Sequence, residues 1–207
     1  VRNLELLCPM GPGGKSLCQV IDGTVTPMGG RMLRRWLSFP LKDVREIEQR
    51  QQVVTYMFKD PEMRDILTDE LMKIGDMERI ASKIGVGRVV PRDMWQLGIG
   101  LRAIGQIKKH AMKAAGCDSL LRMADTLNGC DMLAQQIELT LTADCGSLMK
   151  GGYIKSGVNQ ELDELRDIVY NGKDYSTRPA QPVEIGYTIK KNTTTFSKDD
   201  AQLNFEV

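Results

Sequence analysis

Repeated helix-start signals constrain the fold of this chain more than any other feature of its sequence. The signals are Thr26-Pro27, Asp43 with Glu46, Asp60-Pro61 and Pro91. Threonine and aspartate favour the N-cap position, where their side chains accept a hydrogen bond from the first turn of a helix. Proline suits the first helical position, and an acidic residue three positions after the cap completes a capping box. The signals predict a mainly α-helical body.

Apolar residues follow these signals at spacings of three and four, the period of an amphipathic helix. The stripes are Met28, Met32, Leu33, Trp36 and Leu37; Val44, Ile47, Val54 and Phe58; Met63, Ile66, Leu67, Leu71 and Ile74; and Met77, Ile80, Ala81 and Ile84. The longest pattern, after Pro91, carries Met94, Leu97, Leu101, Ile104 and Lys108. Its alternating spacing predicts a narrow packing seam against another helix. Two shorter amphipathic segments follow, at residues 119–127 and 131–141.

The pattern changes after Gly146. A brief extended piece, GGYIKSG, precedes one more helix, which we expect to end near Gly172. Prolines at positions 179 and 182 then exclude a helix, and apolar residues alternate over 183–189 and 203–207. The fold class that we predict is therefore mainly α, with a multi-helical domain over residues 1–175. A small β-hairpin-like segment is expected over residues 176–207.

Composition excludes several classes of protein. The chain is 42% hydrophobic and 27% charged, which indicates a globular protein with a real core. A net charge of +1 means that any nucleic-acid-binding surface must be local. Five scattered cysteines without a CxxC pair indicate reduced thiols, and a single histidine, His110, argues against a Ser-His-Asp triad. We find neither a membrane-spanning run nor a secretion signal, and Val1 suggests a piece of a longer protein.

The stretch LELLCPMGPGGKSLCQVIDG, residues 4–23, has the order of a phosphate-binding loop. A complete motif needs a glycine five positions before its Gly-Lys-Ser, and here that position holds Pro9. The next apolar run ends within two turns at Asp22-Gly23, and no later βαβ alternation supplies a parallel sheet. We therefore expect a surface loop between an edge strand and a short helix rather than a nucleotide site at Lys15.

Three segments together resemble the MutS family of DNA mismatch-repair ATPases. They are TVTPMGGRMLRRWLSFPLKDVREIEQRQQVV, GDMERIASKIGVGRVVPRDMWQL and GGYIKSGVNQELDELRDI. They resemble, in order, the start of the family's core domain, its Asp-x-Glu-Arg helix with the following Pro-Arg-Asp helix, and the entry to its lever helix. The resemblance covers residues 1–175 and is less close in the tail.

The resemblance implies a core or lever domain with the start of a DNA clamp. It implies that the longer protein binds double-stranded DNA with mismatches, a second subunit and downstream repair factors in the bacterial cytosol or nucleoid. ATP and Mg²⁺ would be bound by an ATPase domain outside this chain, and this chain would hold no cofactor, metal or catalytic residue. Its long helices would relay conformational change, since a small rotation at one end displaces the other.

Two groups of residues are candidates, one for contact with the DNA backbone and one for fixing the orientation of helices. A clamp-like tail would place Lys190, Lys191 and Asn192 against the DNA backbone, where they could donate to phosphate oxygens; an ordinary solvated hairpin tip is the alternative. Asp76, Glu78, Arg79 and Arg88 could form an ion-pair cluster that fixes helix orientation, or could remain solvated charges.

The residues by themselves leave two other functions open. The chain could be a stand-alone helical adaptor module whose apolar grooves receive partner helices, with no nucleotide or DNA site. It could also be a small P-loop enzyme, which requires nucleotide to bind near Lys15.

Overall fold

The computed structural model describes residues 4–143 and 151–175. Its described residues form nine helices, which confirms the mainly α fold class. The helices are α1 (Leu17–Ile21), α2 (Pro27–Ser38), α3 (Val44–Lys59), α4 (Pro61–Met72), α5 (Met77–Gly85), α6 (Pro91–Ala111), α7 (Asp118–Thr126), α8 (Asp131–Thr140) and α9 (Gln160–Tyr175). The predicted β-hairpin-like segment, residues 176–207, lies outside the described residues.

The predicted caps define where the helices begin. Thr26 accepts a hydrogen bond from the backbone N–H of Gly29, and Asp60 accepts one from Met63, each at 3.0 Å. Asp43 accepts from the N–H of Arg45 at 2.7 Å, one position earlier than a capping box requires. The position of the α3 cap is therefore confirmed, whereas its predicted capping-box geometry is wrong.

Helix α6 is the centre of the bundle, because it packs against α4, α5, α7 and α8. Gly98, Gly100, Leu101 and Ala103 are all buried within it. A Cβ atom at Gly98 would lie 2.9 Å from Cγ2 of Ile137 in α8, so the absence of a side chain permits the close approach of the two helices. The prediction that α6 packs against another helix is confirmed, whereas the predicted narrow seam is wrong, because α6 has neighbours on several sides.

Helix α3 is buried on a different face from the predicted one. Val53, Tyr56 and Met57 pack against a core cluster. The cluster consists of Ala111, Ala114, Cys117, Leu120 and Ala124. The predicted stripe is instead largely exposed, with Val54 68% and Phe58 82% accessible. Period alone could not separate the two stripes, because both have helical spacing.

Residues 151–155 return beside the end of α8. Leu141 and Ile154 form an antiparallel bridge, and the N–H of Thr142 donates to the carbonyl of Tyr153 at 2.9 Å. This confirms the brief extended piece expected around GGYIKSG. Residues 5–7, in contrast, form a turn and bends rather than the predicted edge strand. Helix α9 belongs to a second compact unit that begins at Gln160.

Candidate functional site

An arginine in α2 connects this helix to the start of α5. The guanidinium of Arg31 donates to both carboxylate oxygens of Asp76, from Nη1 to Oδ2 at 2.8 Å and from Nη2 to Oδ1 at 2.7 Å. Its Nε also donates to Oε2 of Glu78 at 2.9 Å. Bidentate arginine–carboxylate pairs fix geometry as well as supplying energy. We call these three residues the Arg31 cluster.

Asp76 has a second role in the cluster, as the N-cap of α5. Its Oδ1 accepts the backbone N–H of Arg79 at 3.2 Å, and its side chain is only 17% exposed. The hydrogen bonds from Arg31 are the main reason that the pKa of Asp76 falls to about 2, and they raise the pKa of Arg31 in turn. One carboxylate therefore sets both where α5 begins and where α2 lies against it.

The sequence predicted part of this cluster. Asp76, Glu78 and Arg79 do form ion pairs. Nε of Arg79 lies 3.3 Å from Oδ2 of Asp76, and Glu78 pairs with Arg31. Arg88 forms no ion pair within the part of the chain that the structure describes. Arg31 was missed as a member. A usable signal was present, because residues 27–42 contain four basic and no acidic side chains, so any carboxylate partner had to come from elsewhere.

A second ion pair continues the connection from α5 to α6. Nζ of Lys83 donates to Oδ1 and Oδ2 of Asp93 at 2.9 and 2.8 Å, which lowers the pKa of Asp93. Nearby, Nε2 of Gln96 donates to the carbonyl of Lys73 at 3.0 Å, after the end of α4. Polar contacts therefore connect α2 to α5, and α4 and α5 to α6.

A further ion pair joins α6 to α8. Arg102 donates to Glu138 through Nε at 2.9 Å and Nη2 at 2.8 Å, and this hydrogen bonding lowers the pKa of Glu138. Nζ of Lys155 donates to the backbone carbonyl of Glu138, which anchors the returning segment to the same point. Hydrogen bonds from Arg31, Lys83 and Arg102 thus lower the pKa values of Asp76, Asp93 and Glu138, which favours the ionised form of these three carboxyls.

The Gly-Lys-Ser sequence is not arranged as a phosphate-binding loop. Ser16 is fully buried and caps α1 through a capping box with Gln19. The N–H groups of Leu17 and Cys18 donate to backbone carbonyls at 3.0 and 2.9 Å. A phosphate would need such N–H groups, and here they have protein acceptors. The predicted short helix is confirmed as α1, which has only five residues.

The DNA-backbone candidates Lys190, Lys191 and Asn192 lie outside the described residues, so their role stays a prediction. Across residues 4–143 and 151–170, no three His, Cys, Asp or Glu side chains are grouped to hold a metal ion. Among the helices of these same ranges, none has the length and apolar character to cross a membrane.

Comparison with known proteins identifies the family. Residues 1–185 match the family model of MutS domain III. The chain belongs to the MutS family. The DNA mismatch repair protein MutS of Parabacteroides distasonis is 52% identical over 182 residues, which are 87% of this chain and 21% of that protein. Those of Bacteroides fragilis and Bacteroides thetaiotaomicron are 51% and 48% identical, each over 84% of this chain and 20% of the relative.

The match to MutS domain III confirms the family that the three sequence segments indicated. It includes all the residues of the Arg31 cluster and every described helix. This chain spans about a fifth of the length of the curated MutS relatives that it matches.

Proposed function

We propose that this chain is the domain III part of a longer mismatch-repair protein, in which it couples DNA binding to ATP hydrolysis. It contributes to the clamping of mismatched double-stranded DNA and passes conformational change to an ATPase domain outside these residues. That domain would bind ATP and Mg²⁺, and this chain would contribute no catalytic group. A second subunit and downstream repair factors would be its further partners, in the bacterial cytosol or nucleoid.

The arrangement around α6 is the observation that carries this proposal. Helix α6 packs against four other helices, and ion pairs join it to α5 and α8. Packed helices move as discrete bodies because interiors are close-packed and resist continuous deformation. A displacement of α8 would therefore be transmitted through α6 to α4 and α5, and from α5 through Arg31 to α2.

Disruption of the α6–α8 connection tests the proposal in the full-length protein. Arg102→Met removes the paired hydrogen bonds to Glu138 but keeps a long side chain in a half-exposed position. We expect basal ATP hydrolysis to be retained and its stimulation by mismatched DNA to fall by about 5-fold or more, the size of typical coupling energies. Steady-state ATPase rates with matched and mismatched duplexes measure both quantities.

Arg122→Met provides a matched control. Arg122 lies on α7 and donates only to the carbonyl of Asp118 in its own helix among the contacts of the described residues. It should leave stimulation unchanged. If Arg102→Met left stimulation unchanged while thermal unfolding confirmed a folded protein, or if Arg122→Met had the same effect, the α6–α8 connection would not carry the coupling.

We also propose that Lys190, Lys191 and Asn192 contact the DNA backbone, on the basis of their type and sequence position alone. Replacing both lysines by alanine should reduce the steepness with which log affinity falls with log salt concentration by about 2, one for each phosphate contact. Affinity should fall equally for matched and mismatched DNA. An unchanged salt slope would exclude these two lysines from the DNA interface.

A further inference from the structure

The turn between α7 and α8, residues 127–130, is fixed to α6 over most of its length. Nζ of Lys108 in α6 donates to the backbone carbonyls of Asp125 and Leu127, at 3.2 and 2.9 Å. Gly129 is buried so close to α6 that a Cβ added there would lie 3.0 Å from a carbonyl oxygen of that helix. The end of α7 and the turn as far as Gly129 are therefore held on α6.

The last residue of the turn, Cys130, has a strained backbone. Its φ of 45° and ψ of 54° lie in the left-handed region, which is unfavourable for any residue with a side chain. The backbone N–H of Cys130 donates to Oδ1 of Asn128 at 2.9 Å, which holds this conformation. The side chain of Cys130 is exposed, so its burial does not compensate for the strain. Strained residues of this kind cluster at segments that change conformation.

Cys130 lies at the boundary between the fixed turn and α8, which begins at Asp131. Helix α8 has no side-chain hydrogen bond at its N-cap, and its ion pair between Glu138 and Arg102 of α6 lies two turns further along. A change in the φ angle of one residue redirects the chain that follows it, and hinges are often residues at the end of an element. A rotation at Cys130 would therefore move α8 and leave the turn in place on α6.

We propose that Cys130 is a strained hinge at which α8 changes its angle to α6. It has a left-handed φ in one conformation and an ordinary negative φ in the other. The inference rests on the proposed function, because displacement of α8 is the movement that α6 would transmit. Lys108 confines the rotation to Cys130, because it holds the turn on α6. Relief of strain favours the second conformation, so the residue at position 130 sets the balance between the two.

Substitutions at position 130 should shift this balance in opposite directions. Glycine adopts a left-handed φ without strain, whereas β-branched valine avoids it, so Cys130→Gly favours the described conformation and Cys130→Val the other. Cys130→Ala is the matched control, because it removes the thiol and keeps the strain. In the full-length protein, we expect the stimulation of ATP hydrolysis by mismatched DNA to change in opposite directions in the glycine and valine variants. Each change should be about 3-fold or more relative to Cys130→Ala, which should behave as the native protein.

A rigid turn would respond differently from a hinge. Cys130→Val would then lower stability, measured by thermal unfolding, without a change in stimulation opposite to that in Cys130→Gly. Asn128→Ala is a milder variant, since it only removes the hydrogen bond that holds Cys130, and it should change stimulation in the same direction as Cys130→Val. Stimulation that is unchanged in all folded variants, lowered in all of them or altered equally by Cys130→Ala would overturn the hinge.

Spin-label distances measure the angle of α8 without reference to ATP hydrolysis. Labels at the exposed residues Gln106 of α6 and Gln136 of α8 are attached through unnatural amino acids, and the labelled protein is diluted with unlabelled copies. Two populated distances are expected. The ratio of their populations should shift by about 5-fold or more toward one distance in Cys130→Gly and toward the other in Cys130→Val. A single distance that neither variant changes would overturn the hinge.

Arg102→Met distinguishes failure of the hinge from failure of the proposed function. If it lowers stimulation while the position-130 variants leave the distances unchanged, α8 couples to α6 without this hinge and the inference is overturned. If it leaves stimulation unchanged while the distances shift as expected, the coupling role fails and the hinge is supported.

Discussion

Replacing Arg31 by methionine should release α2 from the start of α5. The substitution keeps the length of the side chain but leaves Asp76 without its bidentate partner. The pKa of Asp76, lowered from 3.8 to about 2 by this hydrogen bonding, corresponds to at most about 2 kcal/mol. The side chain of Arg31 is 38% exposed, so solvent screening reduces the figure to about 1 kcal/mol.

Native-state hydrogen exchange measures this loss in the full-length protein. Among the residues of α2, all of which the structure describes, none is buried, so the helix is expected to open locally rather than with the whole domain. About 1 kcal/mol corresponds to exchange of the α2 amides about 5 times faster. Arg88→Met, the same chemical change at a position with no ion pair within the described residues, should leave α2 unchanged.

Protonation of Asp76 at low pH should also weaken the contact between α2 and the start of α5. A carboxyl whose pKa is lower in the folded protein contributes stability above its unfolded pKa and loses it as pH falls through the folded value. For Asp76 this window runs from about pH 4 down to about pH 2. Urea midpoints measured across the window should fall less steeply in Asp76→Asn than in the native protein. Parallel curves, or unchanged α2 exchange in Arg31→Met, would refute this account of the Arg31 cluster.

Three further predictions concern Gly98, Ser119 and Lys15. Gly98→Val should destabilise the protein by about 1–3 kcal/mol in urea, because a Cβ added there would lie 2.9 Å from Cγ2 of Ile137, and Ile137→Ala should partly restore the stability. Ser119→Ala removes the 2.7 Å hydrogen bond from a buried hydroxyl to Gln52 and should cost about 1 kcal/mol by the same measurement. In calorimetry with Mg-ATP, we expect no saturable binding that depends on Lys15, so Lys15→Ala should leave the result unchanged. The reason is that the backbone N–H groups of Leu17 and Cys18 already donate to protein carbonyls.

The local part of the fold could be predicted from sequence. Thr26, Asp60 and Pro91 mark the starts of α2, α4 and α6 within one residue, because capping depends on side chains only a few positions from the backbone groups they satisfy. The family could also be recognised, because its motifs survive as short segments in a fixed order. Neither inference required knowledge of which helices touch.

Which faces meet was decided only by the tertiary structure. Arg31 and Asp76 are 45 residues apart, and the sequence around either residue does not indicate that the other is its partner. Val53 and Val54 are adjacent and equally apolar, yet only Val53 packs on the core cluster, because α7 approaches α3 from that side. Gly98 weakens an isolated helix and becomes favourable only when Ile137 occupies the space. Periodicity specifies that a face is apolar, whereas the position of the other helices determines which apolar face is buried.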